Sequence, residues 1–316
     1  MLPAVPSDHQ GLVRRVADHH PELQPLETAA AMGNWAGVEE FFAGLTDPSD
    51  RLHAGWLVGR VDGVERLLAP AAMAETGDTT LARTLYGIRL VVMGWNIRTA
   101  ARAEHVSREQ FAAFREHCIR AEQMLIDATA VQPDNTTAWI ERIVTARALQ
   151  VGQSEARRRY DRVAQHAPHV LPAQQQLLQK LLPKWSGSFE AAEAFVRERV
   201  AAAPPGSPVP ALLLDYHVER WLDLDDNEVA PYLARIHDDL RTAEAMTLDP
   251  AWRPGFDRYK VHHNLAFLFS LAGLDFQAAK QFRAIGRNFT ESPWNYLNGE
   301  AVDNFTKRRA TALAKG

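Results

Sequence analysis

One cysteine, Cys118, stands in a chain of 316 residues. No disulfide can close within the chain and no cysteine zinc knuckle can be built, so a reducing compartment is the natural setting. Cys118 lies in "FREHCIRAEQML", inside a helical pattern, and reads as a small core residue rather than a reactive thiol. An excess of one charge is missing too, with 39 acids against 35 bases and a net charge of −4. That near-balance gives no basic face for nucleic acid. Long hydrophobic runs are absent. "LVVMGW" and "LAFLFSLAGL" fall well short of the ~20 apolar residues that a membrane span requires. The start, "MLPAVPSDHQGLVRRVADHH", has no apolar stretch after a basic one and does not read as a signal peptide. The expectation is a soluble, cytoplasmic protein without membrane or nucleic-acid partners.

Chemical motifs are scarce in the same way. No His-Glu-x-x-His occurs, and none of the 12 histidines has a glutamate three residues before it. A helical di-iron site or a zinc protease site is therefore not expected. Phosphate loops and dinucleotide glycine fingerprints are missing, so neither a cofactor nor a metal is expected. His166-Ala-Pro-His169 has a spacing that could clip a metal, but nothing else converges on it. Strand signals are also lacking: no run alternates apolar and polar residues over a useful length, and no Asn-Gly or Asp-Gly pair joins two such runs as a hairpin turn.

What is present is helical. An apolar share of 46% is enough for a large core without staples. Ala, Leu, Arg, Glu and Gln dominate, and apolar residues recur at spacings of three and four, as in Phe111, Phe114, Cys118, Ala121, Leu125 and Ala128. Prolines are expected between the helices, not inside them. A repeat also emerges. Ala121, Leu125, Ala128 and Pro133 return as Ala156, Tyr160, Val163 and Pro168, and more loosely as Ala192, Val196, Arg199 and Pro204. "AMTLDP", ending at Pro250, repeats the close of the unit, and "LAFLFSLAGLDFQAAKQFRAIG" is a further copy.

This pattern resembles the tetratricopeptide repeat, in which small residues let two antiparallel helices approach and a proline ends the second. Trp139 falls where that family carries its first-helix tryptophan, and Ala266, Gly273, Phe276 and Ala279 fit its tight helix-turn-helix. Trp35, Asp50-Arg51 and Lys184-Trp185-Ser186-Gly187-Ser188 resemble an uncharacterised bacterial family of helical-repeat proteins. The resemblance implies an all-α fold, an α-α superhelix or solenoid of TPR-like antiparallel helix pairs, with an irregular amino-terminal half. The expected divisions are an extension over 1–25, a helical region over 26–115, TPR-like repeats over 116–205, further helical repeats over 211–305 and a frayed basic tail over 306–316. "PPGSPVP" reads as a linker, and "LDLDDNEVAP" as a loop with Asp226 or Asn227 as N-cap.

Candidate site residues follow from that frame. In "RYKVHHNLAFLF", counting back from the Gly273 turn points Lys260, His263 and Phe267 toward the concave face, with His262 and Asn264 at the flanks. Adjacent histidines project about 100° apart on a helix, so His262 and His263 do not suit one metal. Trp95-x-x-Arg98 and Trp139-x-x-Arg142 each allow a guanidinium over an indole, a surface for an anionic or aromatic ligand, or else an interhelical knob under a covering arginine. Trp185, after Lys184, reads similarly, and Tyr216 and His217 lie in an acid-rich helix. Asp225-Asp226-x-Glu228 resembles magnesium motifs but lies in the expected loop. Arg157, Arg158, Arg159 and Arg162 read as a solvated face. The ligand or partner site is expected at Trp95, Arg98, Trp139, Arg142, Trp185, His217, Lys260, His263 and Asn264. The implied function is non-catalytic: a binding or scaffold module holding a peptide, a protein partner or a small ligand. The competing expectation is an enzyme with His263 or His217 as general base.

Overall fold

The computed structural model describes residues 11–99 and 105–316. Among them the chain is all-helical, and the only strand-like pairing is an isolated bridge between Val13 and Asn288. Seventeen α-helices are described: α1 Val16–His19, α2 Gln24–Ala31, α3 Trp35–Gly44, α4 Pro48–Arg60, α5 Glu65–Ala72, α6 Thr80–Arg98, α7 Arg108–Val131, α8 Thr136–Ala148 and α9 Gln153–His166. They continue with α10 Leu171–Leu181, α11 Phe189–Ala201, α12 Leu212–Trp221, α13 Asp226–Arg235, α14 His237–Leu248, α15 Arg258–Leu271, α16 Asp275–Ile285 and α17 Ala301–Lys315. None of them is long and apolar enough to cross a membrane.

Local chemistry sets these boundaries. Ser107 and Gln110 close a capping box at the start of α7. Asn34, Asp47 and Asn135 accept from backbone N–H groups at the starts of α3, α4 and α8. Pro133, Pro168, Pro204 and Pro250 each follow shortly after a helix end, where they cannot extend it. The repeated alanines, Ala121, Ala156, Ala192 and Ala266, are all completely buried, as a tight seam requires.

The chain forms two compact units, His20–Ala192 and Glu193–Gly316, the second also holding the described residues up to His19. The division therefore falls inside α11, neither at the expected 115/116 junction nor in the proline-rich linker. In the His20–Ala192 unit, α4, α6, α8 and α10 form a row in which α6 packs on α4 and α8, and α8 on α10. Behind the row, α5 packs on α6, α7 on α6 and α8, and α9 on α8 and α10. The row closes on itself as well, because α4 also reaches α8. Gly59 permits the close packing of α4 on α6. A Cβ there would lie 2.8 Å from Ile88 Cγ2 of α6.

In the other unit, α12, α14 and α15 pack on one another, and α15, α16 and α17 follow as successive neighbours. Its core is aromatic: Phe267, Phe269, Phe282, Trp294 and Phe305 are fully buried. Gly273, at a φ of +71°, makes the α15–α16 turn that the sequence indicates.

Several expectations need correction. Residues 306–316 are not a frayed tail, since α17 runs to Lys315, buries Phe305 and Ala312, and pairs Lys315 with Asp275. "LDLDDNEVAP" is not a loop, because α13 begins in it with Asp225 as cap in a box with Glu228. Pro231 and Pro70 lie inside helices α13 and α5, each the sixth residue of its helix, and not between helices as expected. Phe276, which fits the tight helix-turn-helix in sequence, is 55% exposed, with the Lys280 ammonium over its ring.

Candidate functional site: a cavity built on Glu141

The row of α4, α6, α8 and α10 lines a half-open cavity of about 370 Å³. Every side chain that lines it comes from that row and none from the helices behind it. Ile88, Val91 and Val92 of α6 and Val144 of α8 supply apolar wall, and Trp56 of α4 and Trp95 of α6 supply two half-buried indoles. The polar groups are Arg60, Asn96, Arg147, Gln176 and one acid, Glu141.

Glu141 is 1% exposed, because α8 is covered by helices on both sides and is buried from Thr137 to Ala146. The Trp56 indole N–H donates to Glu141 Oε1 at 2.5 Å, joining side chains 85 positions apart. No other hydrogen bond reaches this carboxyl among the described residues, so its second oxygen keeps its accepting capacity. Burial pushes the carboxyl up to about 7, against the Trp56 hydrogen bond and the charges of Arg147 and Arg60, which favour the ionised form. Near neutral pH the group therefore exists both as carboxylic acid and as carboxylate. Arg147 donates to Gln176 Oε1 at 3.0 Å and lies 5.7 Å from the Trp185 ring centroid. Arg60, at the exposed rim, makes no hydrogen bond or ion pair among the described residues.

Of the nine residues proposed from sequence, only Trp95 lines this cavity. Arg98 covers the Trp95 ring at 5.2 Å and approaches Phe111 at 5.6 Å, away from the lining. Trp139 and Arg142 do form a cation–π pair, at 4.4 Å, but both are buried. Trp139 donates to Pro133 O at 2.8 Å, and Arg142 pairs with Glu122 at 3.1 Å and donates to Thr129 Oγ1 at 2.8 Å. This pair is an interhelical knob, not a ligand surface. The same network takes Arg159, which is 6% exposed and bound to Glu122 and Glu155, out of the expected solvated arginine face. Trp185 is half-buried beneath Arg147 and does not line the cavity.

The remaining four lie in the other unit. His263 is fully buried and cannot meet a ligand. Its Nε2 lies 2.8 Å from the Asn288 carbonyl, to which it must donate, and its Nδ1 accepts from Trp294 Nε1 at 2.8 Å. Only the neutral Nε2–H tautomer satisfies both partners, and burial holds the ring down to about 3. His217 is 2% exposed; its Nε2 donates to Asp239 Oδ2 at 2.9 Å, and its Nδ1 pairs with the Tyr232 hydroxyl at 2.6 Å. Burial alone would raise Asp239, but hydrogen bonds from His217 and Arg197 hold it well below the usual carboxylate range. Both histidines offered as general bases are thus buried and bound to protein partners. Lys260 is half-exposed and ion-paired to Asp215 at 3.1 Å, while Asn264 is buried and reaches the same carboxylate at 3.5 Å. Phe267, expected on the concave face, is core. Cys118 is buried, and burial pushes its thiol up to about 12, which leaves it protonated.

Sequence reasoning missed Trp56, Arg60, Glu141, Arg147 and Gln176. One signal was available: Glu141 interrupts "AWIERIV", where helical spacing keeps the surrounding positions apolar. Among the described residues, no group of three or more His, Cys, Asp and Glu side chains is placed to hold a metal ion. Compared with family models, curated proteins and solved structures, the chain finds no match.

Proposed function

We propose that the chain is a non-catalytic binding module of TPR-like helix pairs, a superhelical arrangement whose ligand seat is the cavity over Glu141. The observation that carries the reading is the lining: apolar wall, two indoles and a few convergent polar groups, all from alternate helices. In helical repeats, alternate helices form the inner surface that holds a peptide, a partner protein or a small ligand. A volume of about 370 Å³ lies near the lower end of the ~300–1,000 Å³ found for ligand pockets, so the seat suits a small ligand or one anchoring side chain of a larger partner.

One observation favours a second reading. A buried acid raised to about 7 is what a general acid needs. The cavity offers it no nucleophile and no second titratable base among the described residues, so binding is the better-supported reading.

The test is a thermal-shift screen of small organic compounds and short peptides against the full chain and the Val92→Phe variant, which fills the cavity. The expected result is a set of compounds that raise the melting temperature of the parent and not of the variant, with the unliganded midpoints alike. Hits that act equally on both proteins, or no hits from a broad screen, would overturn the reading.

A further inference from the structure

The cavity's charges are uneven. Two guanidiniums, Arg60 and Arg147, share its lining with a single carboxyl. Its walls are apolar and aromatic, so a bare inorganic ion would leave Trp56, Trp95 and the valines without a partner. A ligand that satisfies the whole lining carries a flat apolar body for the indoles and one negative group for the arginines. We propose that this cavity takes a small organic anion with a planar ring, and that seating the anion loads one proton from solvent onto Glu141. The inference rests on the reading of the cavity as a ligand seat.

The proton follows from the geometry. The Glu141 carboxyl is buried in the wall of the cavity, and an anion held by Arg60 and Arg147 would lie beside it, where a second negative charge disfavours its ionised form. Once Arg60 and Arg147 hold the anion, the lining offers Glu141 no further cation. From α4 come the Trp56 N–H and Arg60, while His53 meets the edge of the Trp56 ring and is bonded to Ser49 O. From α6 only Asn96 is polar in the lining. On α8 itself stands Arg147, and from α10 come Gln176, which Arg147 already engages, and Lys180, near Arg147. Behind α8, Glu122 is taken up by Arg142 and Arg159. Protonation of Glu141 removes the repulsion and converts its open oxygen into a donor for the anion. An ionised Glu141 would instead favour a cation, but both arginines oppose one.

The experiment is isothermal titration of the full chain with benzoate, benzamide and benzylamine, at pH 6 and pH 8. The expected order is carboxylate, then amide, then amine. Carboxylate affinity should rise roughly five- to tenfold from pH 8 to pH 6, as linkage to one group near 7 requires. Glu141→Gln should bind benzoate with little pH dependence, and about as tightly at pH 8 as the parent does at pH 6. If that variant does not fold, titrating the parent in two buffers of different ionisation heat gives the proton count directly, with uptake approaching one expected at pH 8 and little at pH 6. Tightest binding of benzylamine, strengthening toward pH 8, would overturn the anion inference and leave the ligand seat standing. Carboxylate binding that ignores pH, without proton uptake, would overturn the coupling. If none of the three probes binds in a way that Val92→Phe abolishes, both the inference and the seat fall.

Discussion

His263 and Glu141 are both buried ionisable side chains on helices, and both are pushed toward their neutral forms. They differ in what their polar atoms meet. Both nitrogens of His263 are occupied, by Asn288 and Trp294, in a closed aromatic core. Glu141 has one oxygen engaged by Trp56, no further hydrogen bond among the described residues, and a place in the lining of a cavity with two arginines. Burial with a displaced pKa is therefore common to a structural residue and a candidate ligand contact. What separates them is an unfilled hydrogen-bonding capacity facing open space. The stretch "RYKVHHNLAFLF" looks the more functional in sequence, and it is the more structural of the two in the fold.

The sharpest way to break this contrast is His263→Ala. It removes a packed ring and orphans a buried carbonyl and a buried indole N–H, so about 3–5 kcal/mol of stability should be lost in urea unfolding. A loss below about 1 kcal/mol would mean that the ring is not the keystone of that core. The pH dependence comes next. Glu141 is raised in the folded state, so its contribution is fully present below the unfolded value of about 4.3 and disappears as pH rises through about 7. From pH 5 to pH 8 the parent should lose on the order of 2–3 kcal/mol relative to Glu141→Gln, read as the difference between their denaturation curves. His263 works in the opposite direction. Its depressed value means that stability is present above about 6.5 and is lost as pH falls toward 3.

A smaller effect is expected from Trp56→Phe, which keeps most of the ring and deletes the hydrogen bond to Glu141. Stability should fall by about 1 kcal/mol, and the Glu141 midpoint, followed by carboxyl NMR or infrared titration, should move above the parent value. The smallest effect on stability belongs to Arg60→Ala at the rim, within about 0.5 kcal/mol by thermal unfolding. The same change should weaken benzoate binding by about tenfold, which corresponds to one charge-assisted contact. An Arg60→Ala variant that unfolds early would place that side chain among the structural groups, with His263.

The helices were legible because their signals are local. Caps such as Ser107 with Gln110, the stops at Pro133, Pro168 and Pro204, and the buried alanines 35 or 36 positions apart all act within one or two turns. The site was not legible in that way. Trp139-x-x-Arg142 and Trp95-x-x-Arg98 are the same pattern, yet Glu122 and Thr129 draw the first pair into an interhelical network while the second stands with Trp95 at the cavity wall. The partners that separate them, Glu122 and Thr129, lie ten or more positions from Trp139. The α15 register failed for a related reason. Counting from Gly273 placed His263 on an inner face, but the segment around Asn288 and Trp294, together with α17, covers that face.

By itself, then, the sequence determined that this chain is helical, where several helices stop, and which small residues lie in the seams, because periodicity and proline are short-range effects. Only the tertiary structure decided which polar side chains are sealed and which face a cavity. That choice depends on pairings such as Trp56 with Glu141, 85 positions apart, and a carboxyl's solvation is set by whatever is folded over it.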